Sequence, residues 1–308
     1  MKSLLIALLA AVPLSAQNPG GNTVYGDDDR RDVYQVTNPA VKKLAESTVA
    51  LFQSANVKLE PGKTTADLVT SPYGEEMGLC PEEPFFSQRT GAFCSGSLVA
   101  PDLIMTAGHC VRSAEACKDT KFVFGFGLYK EGPSPVSAAA GDVYGCAELL
   151  GREEVGAGAD WALVRLDRPV AGHRPLQLNR AGEAAKGAKL FVIGHPAGLP
   201  TKVAGGAAVR DPSPGGYFVA NLDTFGGNSG SAVFNANTGL IEGILVRGEQ
   251  DYEYRGSCRV SKSCPNDGCR GEDVTKISAL AAKIPPAWSP ARVVTAPAFS
   301  ALLSSIKD

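Results

Sequence analysis

Residues 224–231 read Thr-Phe-Gly-Gly-Asn-Ser-Gly-Ser, and few folds can house such a run. Glycines on both sides of Ser229 let the backbone turn tightly and approach other chain segments closely. A serine hydroxyl is then exposed beside the backbone N–H groups of Gly227 and Ser229, an arrangement able to hold a developing oxyanion. Alone, a Gly/Ser/Asn cluster marks an ordinary turn. Two further runs change its meaning: residues 106–110, Thr-Ala-Gly-His-Cys, and residues 160–166, Asp-Trp-Ala-Leu-Val-Arg-Leu. The three follow one another in the order His, Asp, Ser, one of the few orders in which a base, its orienting carboxylate and a nucleophile recur.

The spacing of the apolar residues predicts short strands. Residues 47–52 read as a first buried strand, and residues 93–110 as two strands joined at Pro101 and Asp102, the second delivering His109 to its end. Residues 121–127 and 142–149 follow as strands. A strand over 161–166 begins directly after Asp160. A polar link without periodicity runs from 167 to 187. Strands then recur at 189–194, 217–222, 231–234 and 240–248, while 274–284 and 299–306 suit helices. The 35 glycines and 21 prolines agree with many turns and few long helices. A net charge of −2 gives no reason to expect nucleic acid or an anionic membrane as partner.

The first 16 residues carry Lys2, an apolar run and a small residue at Ala16, the pattern of a signal peptide cut near Ala16 and Gln17. The mature chain is therefore expected in a periplasm or outside the cell, with no stable membrane association. Residues 17–23 read as a flexible leader, 24–285 as the folded domain (barrel regions about 45–166 and 188–280), and 286–308 as a tail. Eight cysteines in an exported chain point to four disulfides. Cys117 and Cys146, beside neighbouring strands, are able to pair. Cys258, Cys264 and Cys269 lack zinc-ligand spacing and any nearby histidine, so disulfides are favoured there too. The acidic run 27–29 lacks the spaced ligands of a calcium loop. His173 reads as a surface residue and His195 as part of a structural turn. No metal and no cofactor is expected.

The His, Asp and Ser runs, with Val24 and the charged arm after it, resemble trypsin-like serine endopeptidases, specifically the bacterial V8-like glutamyl-endopeptidase branch. The resemblance implies an all-β fold of two six-stranded antiparallel barrels with the site in the cleft between them, and a short C-terminal helix is expected to follow. It implies a triad of His109, Asp160 and Ser229, an oxyanion hole of Gly227 and Ser229, and a Cys94–Cys110 disulfide fixing the histidine loop. A loop of that size contributes roughly 3 kcal/mol in the chain-entropy account. Asn228 stands where trypsin has the aspartate that receives a new N-terminal amine, so that switch cannot operate here.

Specificity divides the resemblance. Asp223, six residues before Ser229, matches the acid at the floor of trypsin's P1 pocket and implies cleavage after Arg or Lys. Phe225 replaces the cysteine that clamps this pocket wall. Thr224 suits the pocket of glutamyl endopeptidases, whose histidine has no counterpart here, although Arg247 offers a cation. Val246, Arg247 and Gly248 are expected to form the edge that pairs with substrate backbone. The expected partners are polypeptide substrates, taken by a monomer. The alternatives are an endopeptidase acting after acidic residues and a non-catalytic binding protein on a protease scaffold.

Overall fold

The structure is a computed structural model that describes residues 23–286. The expected signal peptide, nearly all of the expected leader, and nearly all of the tail, including the stretch at 299–306 expected to suit a helix, lie outside the described residues.

Six strands close the first barrel: β1 (Thr48–Gln53), β2 (Cys94–Ala100), β3 (Leu103–Thr106), β4 (Thr120–Phe124), β5 (Val143–Glu154) and β6 (Asp160–Leu166). They follow the order β4-β5-β6-β3-β2-β1, and β1 pairs with β4 to complete the ring. The turn at Pro101 and Asp102 sets the β2–β3 register, with Ser97 opposite Met105. That register carries β3 forward to His109. β6 pairs Ala162 with Thr106, so Asp160 emerges at the same end of the barrel as the histidine loop.

Six more strands build the second barrel: β7 (Lys189–Gly194), β8 (Lys202–Asp211), β9 (Tyr217–Ala220), β10 (Ala232–Asn235), β11 (Ile241–Arg247) and β12 (Glu272–Lys276). Their order is β7-β10-β11-β12-β9-β8, closed by a β7–β8 pairing. All pairings within both barrels are antiparallel, as expected.

One continuous apolar core joins the barrels. Ile104, Trp161 and Leu163 of the first pack in the same cluster as Phe191, Ile193, Phe234 and Ile244 of the second. Phe191 and Phe234 stack with ring centroids 4.9 Å apart. Burial of each such ring stabilises the fold by about 2–3 kcal/mol. In β6 every residue but Arg165 is buried, because the strand lines the first barrel on one face and meets the second on the other.

Three expectations need correction. Residues 274–284 do not form a helix, and no C-terminal α-helix follows the barrels among the described residues. β12 occupies Glu272–Lys276 and two 3₁₀ turns follow at Ile277–Ala279 and Ala281–Lys283. Val274, Ile277, Leu280 and Ala281 mimic helical spacing, but β-branched Val274 and Thr275 pair between β9 and β11. β8 was not expected, because Gly205 and Gly206 interrupt its pattern. β5 extends past 149 to Glu154, across two register shifts that break its alternation.

An N-terminal arm packs on the second barrel. Val24–Tyr25 pairs in parallel with Ser263–Cys264, and Arg30–Asp32 adds to β8. All eight cysteines are bonded: Cys94–Cys110, Cys117–Cys146, Cys264–Cys269 and Cys80–Cys258.

Candidate active site

Asp160 is 3% exposed at the start of β6 and is gripped from three sides. Its Oδ1 accepts the N–H of Gly108 at 2.6 Å and that of His109 at 3.1 Å. Its Oδ2 lies 2.7 Å from His109 Nδ1. From β12, the Thr275 hydroxyl accepts the Asp160 N–H at 3.0 Å and donates to its carbonyl at 2.9 Å. Burial pushes this carboxyl up, but the hydrogen bonds and charge of His109, with the two N–H groups, outweigh it and hold the acid below the ordinary range. An ionised carboxylate only accepts, so the imidazole proton sits on Nδ1 and Nε2 keeps a lone pair to receive another.

Ser229 is brought against the histidine loop by Ser95, the residue after Cys94. The Ser95 N–H donates to the Ser229 carbonyl at 2.8 Å, and that carbonyl lies 3.7 Å from Cys110 Sγ. The Ser95 hydroxyl donates to the Gly227 carbonyl at 3.0 Å and accepts the His195 N–H at 2.9 Å. One buried serine thus fixes the carbonyls of both residues whose N–H groups were assigned to an oxyanion hole. The turn itself is closed by Asn228 N–H to Phe225 carbonyl and Ser231 N–H to Asn228 carbonyl, each 3.0 Å. Gly227 and Gly230 have φ of +89° and +90°, and a Cβ on Gly230 would lie 2.1 Å from the Ser95 carbonyl. Side chains at either position are excluded.

Cys94, His109 and Cys110 place three potential metal-ligating atoms within 4.8 Å of one another. Both sulfurs are consumed by the disulfide, so the donor set does not suit a metal.

The specificity residues fall elsewhere than expected. Asp223 is 2% exposed, and its carboxylate accepts the N–H of Tyr25 at 2.7 Å and of Asp29 at 2.8 Å. Burial raises its pKa to about 7, against the pull of those two donors. It anchors the arm and does not form the floor of an open pocket. Thr224 is fully buried beneath the arm, with its N–H on the Thr23 carbonyl at 3.3 Å. Arg247 is turned to Asp273 and the Gly158 carbonyl, at 3.1 and 2.7 Å. Val246 is buried, whereas Gly248 lies just past β11 and is part-exposed. β10 pairs with β11 only as far as Ile244, and β11 carries a register shift at Val246.

Phe225 is clamped without a disulfide. Its ring stacks on Tyr252 at 5.1 Å with an interplanar angle of 1°, and the Arg30 guanidinium lies 4.0 Å from its centroid. Arg30 is held there by Asp28 at 2.8 and 2.7 Å. His195 is buried with Nδ1 on the Leu199 carbonyl at 3.0 Å, and burial lowers its pKa to about 4. His173 stacks on Phe124 at 4.5 Å, more enclosed than the surface position expected of it. The roles of Ser95, Thr275 and Asp273 were missed. A serine beside a cysteine carries no sequence signal, but Asp273 and Thr275 flanking Val274 show the period-two alternation of a strand.

Residues 94–244 match the trypsin-like peptidase domain family. This chain carries a trypsin-like peptidase domain. The chain is 36% identical over 85 residues to human chymotrypsin-like elastase family member 3B and 35% identical over 88 residues to human member 3A. Each match covers 26% of this chain, and the chain spans about a third (31%) of the length of these relatives. Among solved structures it is similar to a Glu endopeptidase in complex with MPD, with 18% identity, a TM-score of 0.46 and coverage of 85% and 96% of the two chains. It is also similar to the active form of the Rv3671c protease of M. tuberculosis, with 16% identity, a TM-score of 0.45 and coverage of 93% and 99%.

Proposed function

We propose that this protein is an exported serine endopeptidase acting through His109, Asp160 and Ser229. The observation that carries the reading is the 2.7 Å contact between His109 Nδ1 and the buried Asp160, beside a serine loop pinned to the histidine disulfide. Ser229 Oγ attacks the scissile carbonyl while His109 Nε2 takes its proton, and the same proton then goes to the leaving amine. Asp160 fixes the tautomer and stabilises the imidazolium. The N–H groups of Gly227 and Ser229 hold the oxyanion, a contribution of about 10²–10³ in rate per donor. Water repeats the cycle on the acyl-enzyme.

Substrate backbone pairs with the chain from Val246 to Gly248, where β11 has passed beyond β10. A groove of about 370 Å³, with Met77, Phe93 and Gly227 among its lining residues, receives the leaving-group side. Both charges that would select a charged P1 residue are already engaged: Asp223 with the arm, Arg247 with Asp273. P1 choice therefore follows neither of them. The four disulfides support maturation in an oxidising compartment, and among the described residues no helix is long and apolar enough to cross a membrane. One chain supplies every part of the site, which supports a monomer.

The test is a mixed peptide library digested by the mature protein and by Ser229→Ala, together with labelling by a fluorophosphonate. Cleavage and labelling in the parent that both vanish in the variant are expected. A folded, mature parent that neither cleaves nor labels would overturn the reading in favour of a binding scaffold.

A further inference from the structure

We propose that Arg247 is a positioning residue for the His109–Asp160 pair, gripping and electrically tuning Asp160 from the second barrel. This rests on the endopeptidase reading. The guanidinium makes three contacts. Nε donates to Asp273 Oδ2 at 3.1 Å, Nη2 donates to the Gly158 carbonyl at 2.7 Å, and Nη1 stands 3.9 Å from Asp160 Oδ2. That oxygen is the one that meets His109. Gly158 is two residues before Asp160, so the side chain holds the approach to β6 by a hydrogen bond and stands at ion-pair distance from the carboxylate at its start. Thr275, two residues from Asp273 on β12, holds the Asp160 backbone. The second barrel therefore fixes the Asp160 backbone directly through Thr275, while Asp273 acts through Arg247, which adds the charge.

The side chain is 22% exposed and its Nε and Nη2 are both committed, which suits a fixed charge better than a free ligand for substrate. The surrounding groups define its field. Asp273 on β12 is the counter-ion and also accepts from Arg270 Nη2 at 2.5 Å. The Tyr217 ring on β9 lies 5.5 Å from the guanidinium carbon. On β5, Glu153 accepts the Trp161 Nε1–H at 2.9 Å, and Arg152 Nε reaches the Gly108 carbonyl at 3.3 Å. A cation on the Asp160 carboxylate competes with the imidazolium for the same negative charge. It weakens the attraction between Asp160 and the imidazolium. Asp273 moderates that pull, so the two residues act in opposite directions on one pair.

The experiment compares Arg247→Gln, Arg247→Lys and Asp273→Asn by the pH dependence of kcat/KM. It is joined by an NMR titration of the His109 ring in a Ser229→Ala background, a readout independent of activity. Arg247→Gln is expected to move the acid limb and the His109 titration up by about half to one pH unit, with kcat reduced and KM little changed. Arg247→Lys restores the position, and Asp273→Asn moves it down. Unmoved titrations, or shifts of the same sign in Arg247→Gln and Asp273→Asn, would overturn the proposal, as would a loss confined to KM. If Arg247→Gln does not fold, the lysine and Asp273 variants still decide. If the parent proves inactive, the endopeptidase reading fails while the NMR titration still judges Arg247.

Discussion

Replacing Asp223 by Asn isolates the effect of burying a carboxyl group to hold the arm. The folded protein keeps the Asp223 proton up to about pH 7, because burial outweighs the N–H groups of Asp29 and Tyr25. An unfolded aspartate titrates near about 3.9. The folded value is the higher one, so the protonated form's contribution to stability is complete below about pH 4 and is lost as the pH rises through about 7. Between pH 5 and pH 7 that loss integrates to about 2 kcal/mol. Asn does not titrate, and its amide can accept only one of the two N–H bonds that the Asp223 oxygens take, so the comparison is of slopes with pH and not of absolute stability. The stability of Asp223→Asn relative to the parent should therefore rise by about 2 kcal/mol between pH 5 and pH 7. Urea unfolding at pH 5, 6 and 7, both proteins carrying Ser229→Ala to prevent self-digestion, measures the difference of slopes, and every other titrating group cancels. Parallel slopes would refute the reasoning, for they would mean that Asp223 is already ionised at pH 5 in the folded state. The P1 profile of the active Asp223→Asn protein should match the parent's.

Ser95→Ala leaves the His195 N–H and the Gly227 carbonyl without their shared partner, a loss of about 1–3 kcal/mol. If it falls on the oxyanion turn, kcat drops about ten- to hundredfold with KM nearly constant in steady-state kinetics; an unchanged kcat would show that the turn holds itself. Phe225→Ala removes the ring between Tyr252 and Arg30 and is expected to cost about 3–5 kcal/mol of stability. A urea midpoint within error of the parent's would show that the arm and the 252–255 strand do not clamp the pocket wall.

The barrels were legible where a strand is buried on an apolar face, as at 189–194, or bounded by a marked turn, as at Pro101. The triad was legible because each member lies in a short run whose neighbours are constrained as well: Gly108 before the histidine, an apolar strand behind Asp160, glycines around Ser229. β8 and β12 were not, for opposite reasons. β8 is diluted by alanine and glycine, so no periodic signal remains. β12 buries Glu272, Asp273 and Thr275, residues whose usual place is the surface. Apart from Arg270, which pairs with Asp273, the partners come from the arm, from β6 and from Arg247, all distant in sequence. The specificity residues misled for the same reason. Asp223 and Arg247 are charges whose meaning is fixed by what lies opposite, and for Asp223 that is a segment nearly 200 residues earlier in the chain.

The Cys80–Cys258 bond encloses His109, Asp160 and Ser229 within one covalent ring, and the link between the barrels lies inside it as well. That link, residues 167–188, is mostly exposed and carries several basic residues, the kind of segment a proteolytic enzyme meets on its own neighbours. A single cut there would open the backbone without parting the halves. The severed ends would stay at high local concentration, and the two barrels would remain joined by a covalent bond as well as by their shared core.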